Sequence, residues 1–338
     1  MPRALILGGG GVLGRAIARR MLEADWQVDI TGRDAAHQPP ELAALGGGYL
    51  VSDRTRRLDL ERAIGDGADL LVDCRSFTAD DAHLLVPYLG ALGSTVMLSS
   101  KAVYVDEQGR HGNSLEQPEF DAPIRETQPT VPPGRGEPDT REGYGRNKVA
   151  AENVLLDAGE AVTVLRIGKV HGVGAARPRE WVFVKRVLDD RPALFVRAAS
   201  DVDQTSAAVN VAALVETVAR VPGHRILNAG DPDAPSAAAI GRAVAARMGH
   251  DWDEVRLPAD SDLGVTPWST PRPVVLDMTA ATALGYEPVG EFAETVAAEL
   301  DWLLDLAERG EGPTDPWFDR FLEYAPEDAY LLRRQLGL

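Results

Sequence analysis

Tyr144 and Lys148 stand four residues apart in Tyr144-Gly145-Arg146-Asn147-Lys148, at the head of a stretch with helical periodicity. That spacing places both side chains on one helix face, a turn apart. A phenol is a poor acid–base group at its ordinary pKa of about 10. A nearby ammonium favours the phenolate, so Lys148 is expected to lower that value and let Tyr144 pass a proton to or from a hydroxyl. Tyr-x-x-x-Lys is common on helices, and its weight comes from its companions. Ser99-Ser100-Lys101-Ala102-Val103-Tyr104 closes an apolar run that reads as a strand, where Ser100 can hydrogen-bond a reacting oxygen.

The second companion is Gly8-Gly9-Gly10-Gly11-Val12-Leu13-Gly14, set between a strand and a helix near the N-terminus. Here Gly8 lets the chain turn tightly, Gly11 leaves room for a pyrophosphate against the backbone, and Gly14 lets the helix pack closely. Val12 and Leu13 lead into the helix, whose unpaired N–H groups attract phosphate. The pattern calls for a dinucleotide, with Lys148 holding the nicotinamide ribose. The next strand ends in Asp29-Ile30-Thr31-Gly32-Arg33. An NAD-selective site places an acid at such a strand end. Gly32 supplies none, and Arg33 offers a fork for a 2′-phosphate, so NADP(H) is favoured over NAD(H). Asp29 is the alternative ribose partner if the register differs. Asp53, after Leu50-Val51, is placed to accept from the adenine amino group or to cap a helix.

The elements that must position these groups alternate. Strands are expected at 4–7, 27–31, 69–73, 95–99 and 161–167, and helices at 14–23, 58–64, 82–92 and 148–157. Such alternation implies an α/β fold, a Rossmann-type doubly wound parallel sheet with a smaller C-terminal substrate-binding lobe. Residues 1–170 read as the dinucleotide-binding domain and 171–314 mainly as the lobe, with some segments returning to the sheet. Within the first domain, 105–143 is polar, rich in Pro and Gly and aperiodic, the composition of an insertion or mobile lid. Further helices are expected at 207–219, 236–248 and 291–306, with a short strand at 227–228. The tail 315–338 carries Trp317, Phe318, Phe321, Leu322 and Tyr330, and is expected to dock on the body or on a partner subunit.

Taken in order, glycine turn, strand-end serine and Tyr/Lys helix resemble the extended short-chain dehydrogenase/reductases, the NAD(P)-dependent epimerase/dehydratase group. The stretch 165–172 is similar to that family's strand and turn after the catalytic helix, with Gly168 for the usual proline and His171 for the usual tyrosine. Segments 207–212 and 276–288 resemble the family's later signatures. The resemblance implies Ser100, Tyr144 and Lys148 as catalytic residues and a nicotinamide cofactor. Lys101 and Ala102 stand where sugar-nucleotide dehydratases carry an Asp-Glu pair, so water elimination is disfavoured.

The expected activity is NADP(H)-dependent interconversion of a ketone and a secondary alcohol on a small molecule. The alternatives are a nucleotide-sugar epimerase with retained NAD, or a non-catalytic NADP- or RNA-binding protein. The 338 residues carry 35 basic against 52 acidic side chains, a net charge of −17, which disfavours nucleic acid and anionic membranes. No apolar run suits a membrane span, and the single Cys74 allows no internal disulfide; a cytoplasmic protein is expected, with a homodimer allowed. Lys101, His171 and Arg272 are the candidate substrate contacts. The six histidines show no ligand spacing, so no metal is expected.

Overall fold

A computed structural model describes the chain except for residues 122, 138, 198–200 and 338. The first half runs β1 (Arg3–Leu7), α1 (Val12–Glu23), β2 (Gln27–Gly32), α2 (Pro40–Ala44), β3 (Gly48–Val51), α3 (Arg57–Ile64), β4 (Ala68–Asp73), α4 (Ala79–His83), β5 (Leu92–Ser100), α5 (Arg141–Ala158) and β6 (Val162–Ile167). The second half runs β7 (Lys169–His171), α6 (Trp181–Leu188), β8 (Ala193–Arg197), β9 (Thr205–Ala207), α7 (Ala208–Arg220), β10 (Arg225–Ala229), α8 (Ala237–Met248) and β11 (Asp253–Leu257). It closes with α9 (Thr279–Ala283), α10 (Phe292–Thr295), α11 (Ala297–Glu308), α12 (Asp319–Leu322) and α13 (Ala325–Gln335).

Seven strands form one parallel sheet in the order β3-β2-β1-β4-β5-β6-β10. Its central strands are nearly continuous Val, Ile, Leu and Ala because both faces are covered. One face packs on α1 and α7 through Ile17, Met21, Val211 and Leu214. The other packs on α3 and α5 through Leu60, Ile64, Ala151 and Leu155. The order reverses between β1 and β4, so the turns leaving those two strands flank a crevice at the carboxyl edge, the place where such sheets take ligands.

The lobe has its own core, in which Trp181, Phe183, Leu194, Ile240, Trp268, Phe292 and Leu300 pack together. The tail belongs to it: Phe318 and Phe321 are buried there, and the Arg186 guanidinium reaches Glu327 of α13 at 2.8 Å from each of two nitrogens. No helix among the described residues is long and apolar enough to cross a membrane.

Three readings from periodicity need correction. The expected helix 82–92 is α4 followed by a 3-10 turn at Val86–Ala91, because Pro87 brings no N–H. The expected helix 291–306 is interrupted at Val296, although its stripe of Phe292, Val296, Leu300 and Leu303 is buried as the pattern requires. The helix that carries Tyr144 and Lys148 starts seven residues before the expected 148, because the Thr140 hydroxyl accepts from Gly143 N and caps α5 at Arg141. The insertion is irregular yet tied down. Phe120 and Ile124 are buried against Tyr104, Val274 and Leu276, and Val131 N donates to Val103 O at 2.8 Å. These contacts join parts of it to the end of β5 and to the segment 274–276.

Candidate active site

The glycine turn leaves β1 at the crevice. Gly8 sits at φ +76°, a left-handed conformation that costs other residues free energy. A Cβ at Gly14 would lie 2.6 Å from Gly9 Cα, so its absence lets α1 pack on the turn. Gly11 differs: no heavy atom lies within 4 Å of where its Cβ would be, and it occupies the N-cap of α1. Val12 and Leu13 begin α1, whose first turn carries no acid to oppose the positive end of the helix dipole. A concave backbone that is open in front of Gly11 fits a dinucleotide pyrophosphate.

The facing loop after β4 is rigidly built. Asp73 accepts from Arg75 N at 2.7 Å and Ser76 Oγ at 2.8 Å, and it pairs with the buried Arg54. This places the exposed Arg75 over Gly8, stacked on the Phe77 ring at 5.0 Å. Nothing in the sequence spacing singled out this cation. Cys74, in the same loop, is packed against the core, and burial pushes its thiol up to about 12.

At the end of β2, Arg33 is exposed and has no ion-pair partner among the described residues. Asp29 is held by Arg3 Nε at 3.0 Å, before the carboxyl end of the strand, which removes it as the ribose partner. The role given to Gly32 also changes. A Cβ there would lie 1.9 Å from the Tyr49 hydroxyl, which donates to Asp34 O at 2.7 Å. The glycine is therefore required by Tyr49, whatever the cofactor. Asp53 accepts from Thr55 N at 3.0 Å and Thr55 Oγ1 at 2.7 Å, bonds that hold its carboxyl below the usual range.

Ser100 ends β5, and its hydroxyl accepts from Ala102 N at 3.2 Å. The neighbouring Ser99 donates to Glu152 of α5, and Glu152 takes Arg166 of β6 at 2.6 Å. This buried chain of contacts fixes α5 against the strand end. One turn along α5 from Tyr144, the buried Lys148 ammonium donates to Ser76 O at 2.7 Å and Leu98 O at 3.0 Å, and lies 4.4 Å from the Phe77 ring centroid. Burial lowers Lys148 to about 8, with Asp73 and Glu152 acting the other way.

The expected lowering of the Tyr144 pKa is not found. Burial raises the phenol above its ordinary value, and only the adjacent Ser100 hydroxyl acts to lower it. The reason is geometric: Lys148 is turned to the Ser76 and Leu98 carbonyls.

Ser100 and Tyr144 line a cleft of about 630 Å³ between the sheet edge and the lobe. Lys101 and Lys169 flank it and share Asp203, with Lys169 Nζ 3.0 Å from that carboxylate. Burial raises Asp203, but the two ammonium groups outweigh it and hold the carboxyl low. Arg179 and Arg320 reach the cleft without an ion-pair partner among the described residues, and Trp317 of the tail lines the far wall. Of these residues the sequence singled out Lys101 alone. Lys169 lies in the stretch 165–172 and Trp317 in the apolar tail, but neither was assigned to the site, and Asp203, Arg179 and Arg320 come from segments with no motif of their own.

Two candidates fall outside this cleft. The Arg272 guanidinium is held by Asp121 and, at 3.0 Å, by Glu119, which joins two surface loops. His171 is 1% exposed, with Nε2 3.0 Å from Asp231 and the ring against Phe292. Burial behind β9 keeps it from any substrate lying against Tyr144.

No family model matches the sequence, and no curated protein matches it. Solved structures do. The dTDP-glucose 4,6-dehydratase of Bacillus anthracis in complex with NAD is 13% identical over 91% of this chain and 98% of its own, with a TM-score of 0.68. The UDP-glucose 4-epimerase of Thermotoga maritima with UDP-glucose is 14% identical over 90% of this chain and 99% of its own, with a TM-score of 0.66. The Thermus thermophilus UDP-glucose 4-epimerase with NAD is 20% identical over 89% and 98%, with a TM-score of 0.64. At these identities the likeness is one of architecture: the chain has the fold of the extended short-chain dehydrogenase/reductases.

Proposed function

We propose that the protein is an NADP(H)-dependent oxidoreductase that interconverts a ketone and a secondary alcohol on a small anionic molecule. The observation that carries this reading is that Ser100 and Tyr144 line one cleft, with Lys148 a turn further along α5 and the glycine turn leaving β1 at the strand-order reversal. When bound, the nicotinamide supplies or accepts the hydride. The chain's own groups do the rest.

The pyrophosphate suits the open backbone at Gly11 and the start of α1, with Arg75 above it. Two of the three ammonium donors of Lys148 are taken by carbonyls, which leaves one for a ribose hydroxyl. Ser100 donates to the substrate oxygen and orients it. Tyr144, kept in its neutral form by burial, holds the proton that an oxygen gaining charge during reduction takes up, and it takes the proton back in the reverse direction; its raised pKa makes it a weak acid, so the transfer follows the build-up of charge on that oxygen. Arg179 and Arg320 face the remaining volume and favour a negatively charged end on the substrate.

The choice of NADP(H) rests on Arg33. A charge-assisted arginine–phosphate contact is worth about 1.5–3 kcal/mol, or roughly tenfold to a hundredfold in affinity. Arg33→Ala is expected to weaken NADP(H) by that factor and to leave NAD(H) nearly unchanged in calorimetric titration. Equal weakening of both would give Arg33 a structural role, and a wild-type preference for NAD(H) would remove the NADP assignment. A second reading, nucleotide-sugar epimerisation, is supported by the likeness to 4-epimerases solved with NAD or UDP-glucose. Mass spectrometry of the denatured protein separates the two: a retained NAD favours the epimerase, and a freely exchanging NADP(H) favours the oxidoreductase.

A further inference from the structure

Behind β7 and β9, outside the Ser100–Tyr144 cleft, His171, Glu180 and Glu299 converge from three separate elements. His171 ends β7, Glu180 caps α6, and Glu299 lies on α11. All three are at most 1% exposed. One ligand atom from each lies within 4.8 Å of the others. His171 Nδ1, Glu180 Oε2 and Glu299 Oε1 are buried with no hydrogen-bond partner. A buried carboxylate oxygen or ring nitrogen without a partner costs free energy, and here one such atom comes from each member of the cluster.

We propose that this cluster is a divalent metal site, best suited to Zn2+, that ties the start of the lobe to its last long helix. The ring orientation fits. Nε2 faces Asp231 Oδ2 at 3.0 Å, and Asp231 is itself fixed by Ala207 N at 2.6 Å and the Asn210 amide at 2.8 Å. A carboxylate on one ring nitrogen fixes the tautomer and presents the lone pair of the other to a metal. Glu299 Oε2 is held by Gly172 N at 2.7 Å, which leaves Oε1 as its unpartnered oxygen.

Charge argues the same way. Asp231, Glu180 and Glu299 are three carboxylates without a lysine or arginine ion-pair partner among the described residues, and Arg179 is the nearby cation acting on Glu180. A divalent ion together with Arg179 balances all three. The alternative neutraliser is protons on His171 and Glu180. A protonated Nδ1 would then have its nearest carboxylate oxygen, Glu299 Oε2, at 3.7 Å, too far for a hydrogen bond. One imidazole and two carboxylates suit Zn2+ better than Mg2+ or Ca2+, which prefer oxygen alone. A cavity of about 350 Å³, lined by Val12, Ala16, Gly172 and Ala208, reaches His171 and Glu299 and gives an entry path and room for a water as fourth ligand.

The test uses the full chain, purified without metal-affinity steps, stripped with chelator and titrated with Zn2+ against a chromogenic competitor. The expected result is one Zn2+ per chain by elemental analysis after dialysis, and a lower Tm in the stripped protein that Zn2+ restores. Glu180→Gln keeps the shape of the side chain and is expected to weaken Zn2+ at least tenfold, and His171→Gln is expected to abolish binding. Because His171→Gln also removes the buried contact to Asp231, the wild-type titration and Glu180→Gln carry the decision. Less than a tenth of an equivalent bound, with Tm indifferent to chelator and Zn2+, would overturn the proposal. So would Glu180→Gln binding Zn2+ as the wild type does.

Discussion

Tyr144→Phe is expected to lower turnover on an identified substrate by about 10²-fold or more while leaving cofactor affinity within about twofold. Phenylalanine keeps the ring and its packing and removes only the hydroxyl that moves the proton. Burial keeps that hydroxyl protonated and Ser100 lies beside it, so the loss should fall on kcat rather than KM. Steady-state kinetics with calorimetric cofactor titration checks both halves. A phenylalanine variant as fast as the wild type would remove Tyr144 from the reaction, and a matching loss of cofactor affinity would make it a binding residue.

Glu152→Gln is expected to destabilise the fold by about 3–5 kcal/mol, the usual consequence of leaving one member of a buried ion pair alone. Arg166 is 4% exposed and Glu152 1%, so water cannot take over the lost contact. The amide keeps one acceptor oxygen but loses the charge and the second oxygen, so the Arg166 charge is left with the Tyr104 ring at 4.8 Å and a long contact to Glu126 O at 3.4 Å. Equilibrium denaturation by urea reads the effect as a lower midpoint at an unchanged slope. A loss below about 1 kcal/mol would show that Arg166 finds another acceptor, and that α5 is held to β5 by apolar packing instead.

These two residues also show what a single sequence reveals. Tyr144 and Lys148 were legible because helical spacing alone brings them together, and Ser100 because it ends an apolar strand. The glycine turn was legible because strand, turn and helix are contiguous. The Glu152–Arg166 pair carries no such local signal, since its partners meet only when α5 packs against β6. The same holds for Lys169, Asp203, Arg179 and Arg320, which reach one cleft from four segments. His171 attracted notice for the wrong environment: its place after β6 was readable, but the carboxylates of Asp231, Glu180 and Glu299 around it come from later elements. The short strands β7, β8, β9 and β11, three to five residues each, are too brief for a period of two to stand out. Gly32 is a further case. Its type marks a strand end without an acid, whereas the tyrosine that requires a glycine there lies on the neighbouring strand.

The central claim is that a nicotinamide dinucleotide lies on the glycine turn and reaches toward Tyr144. Gly11→Asp tests it most directly. Aspartate is a favourable N-cap, and no atom lies within 4 Å of its Cβ position, so α1 and the fold should be retained. Its carboxylate would occupy the pyrophosphate approach with like charge. Calorimetric titration of NADPH and NADH into wild type and variant, with Tm measured on both, gives the answer. The account predicts saturable binding to the wild type, no detectable binding to Gly11→Asp and an equal or higher Tm for the variant. A wild type that binds neither dinucleotide, or a variant that binds as the wild type does, would contradict it.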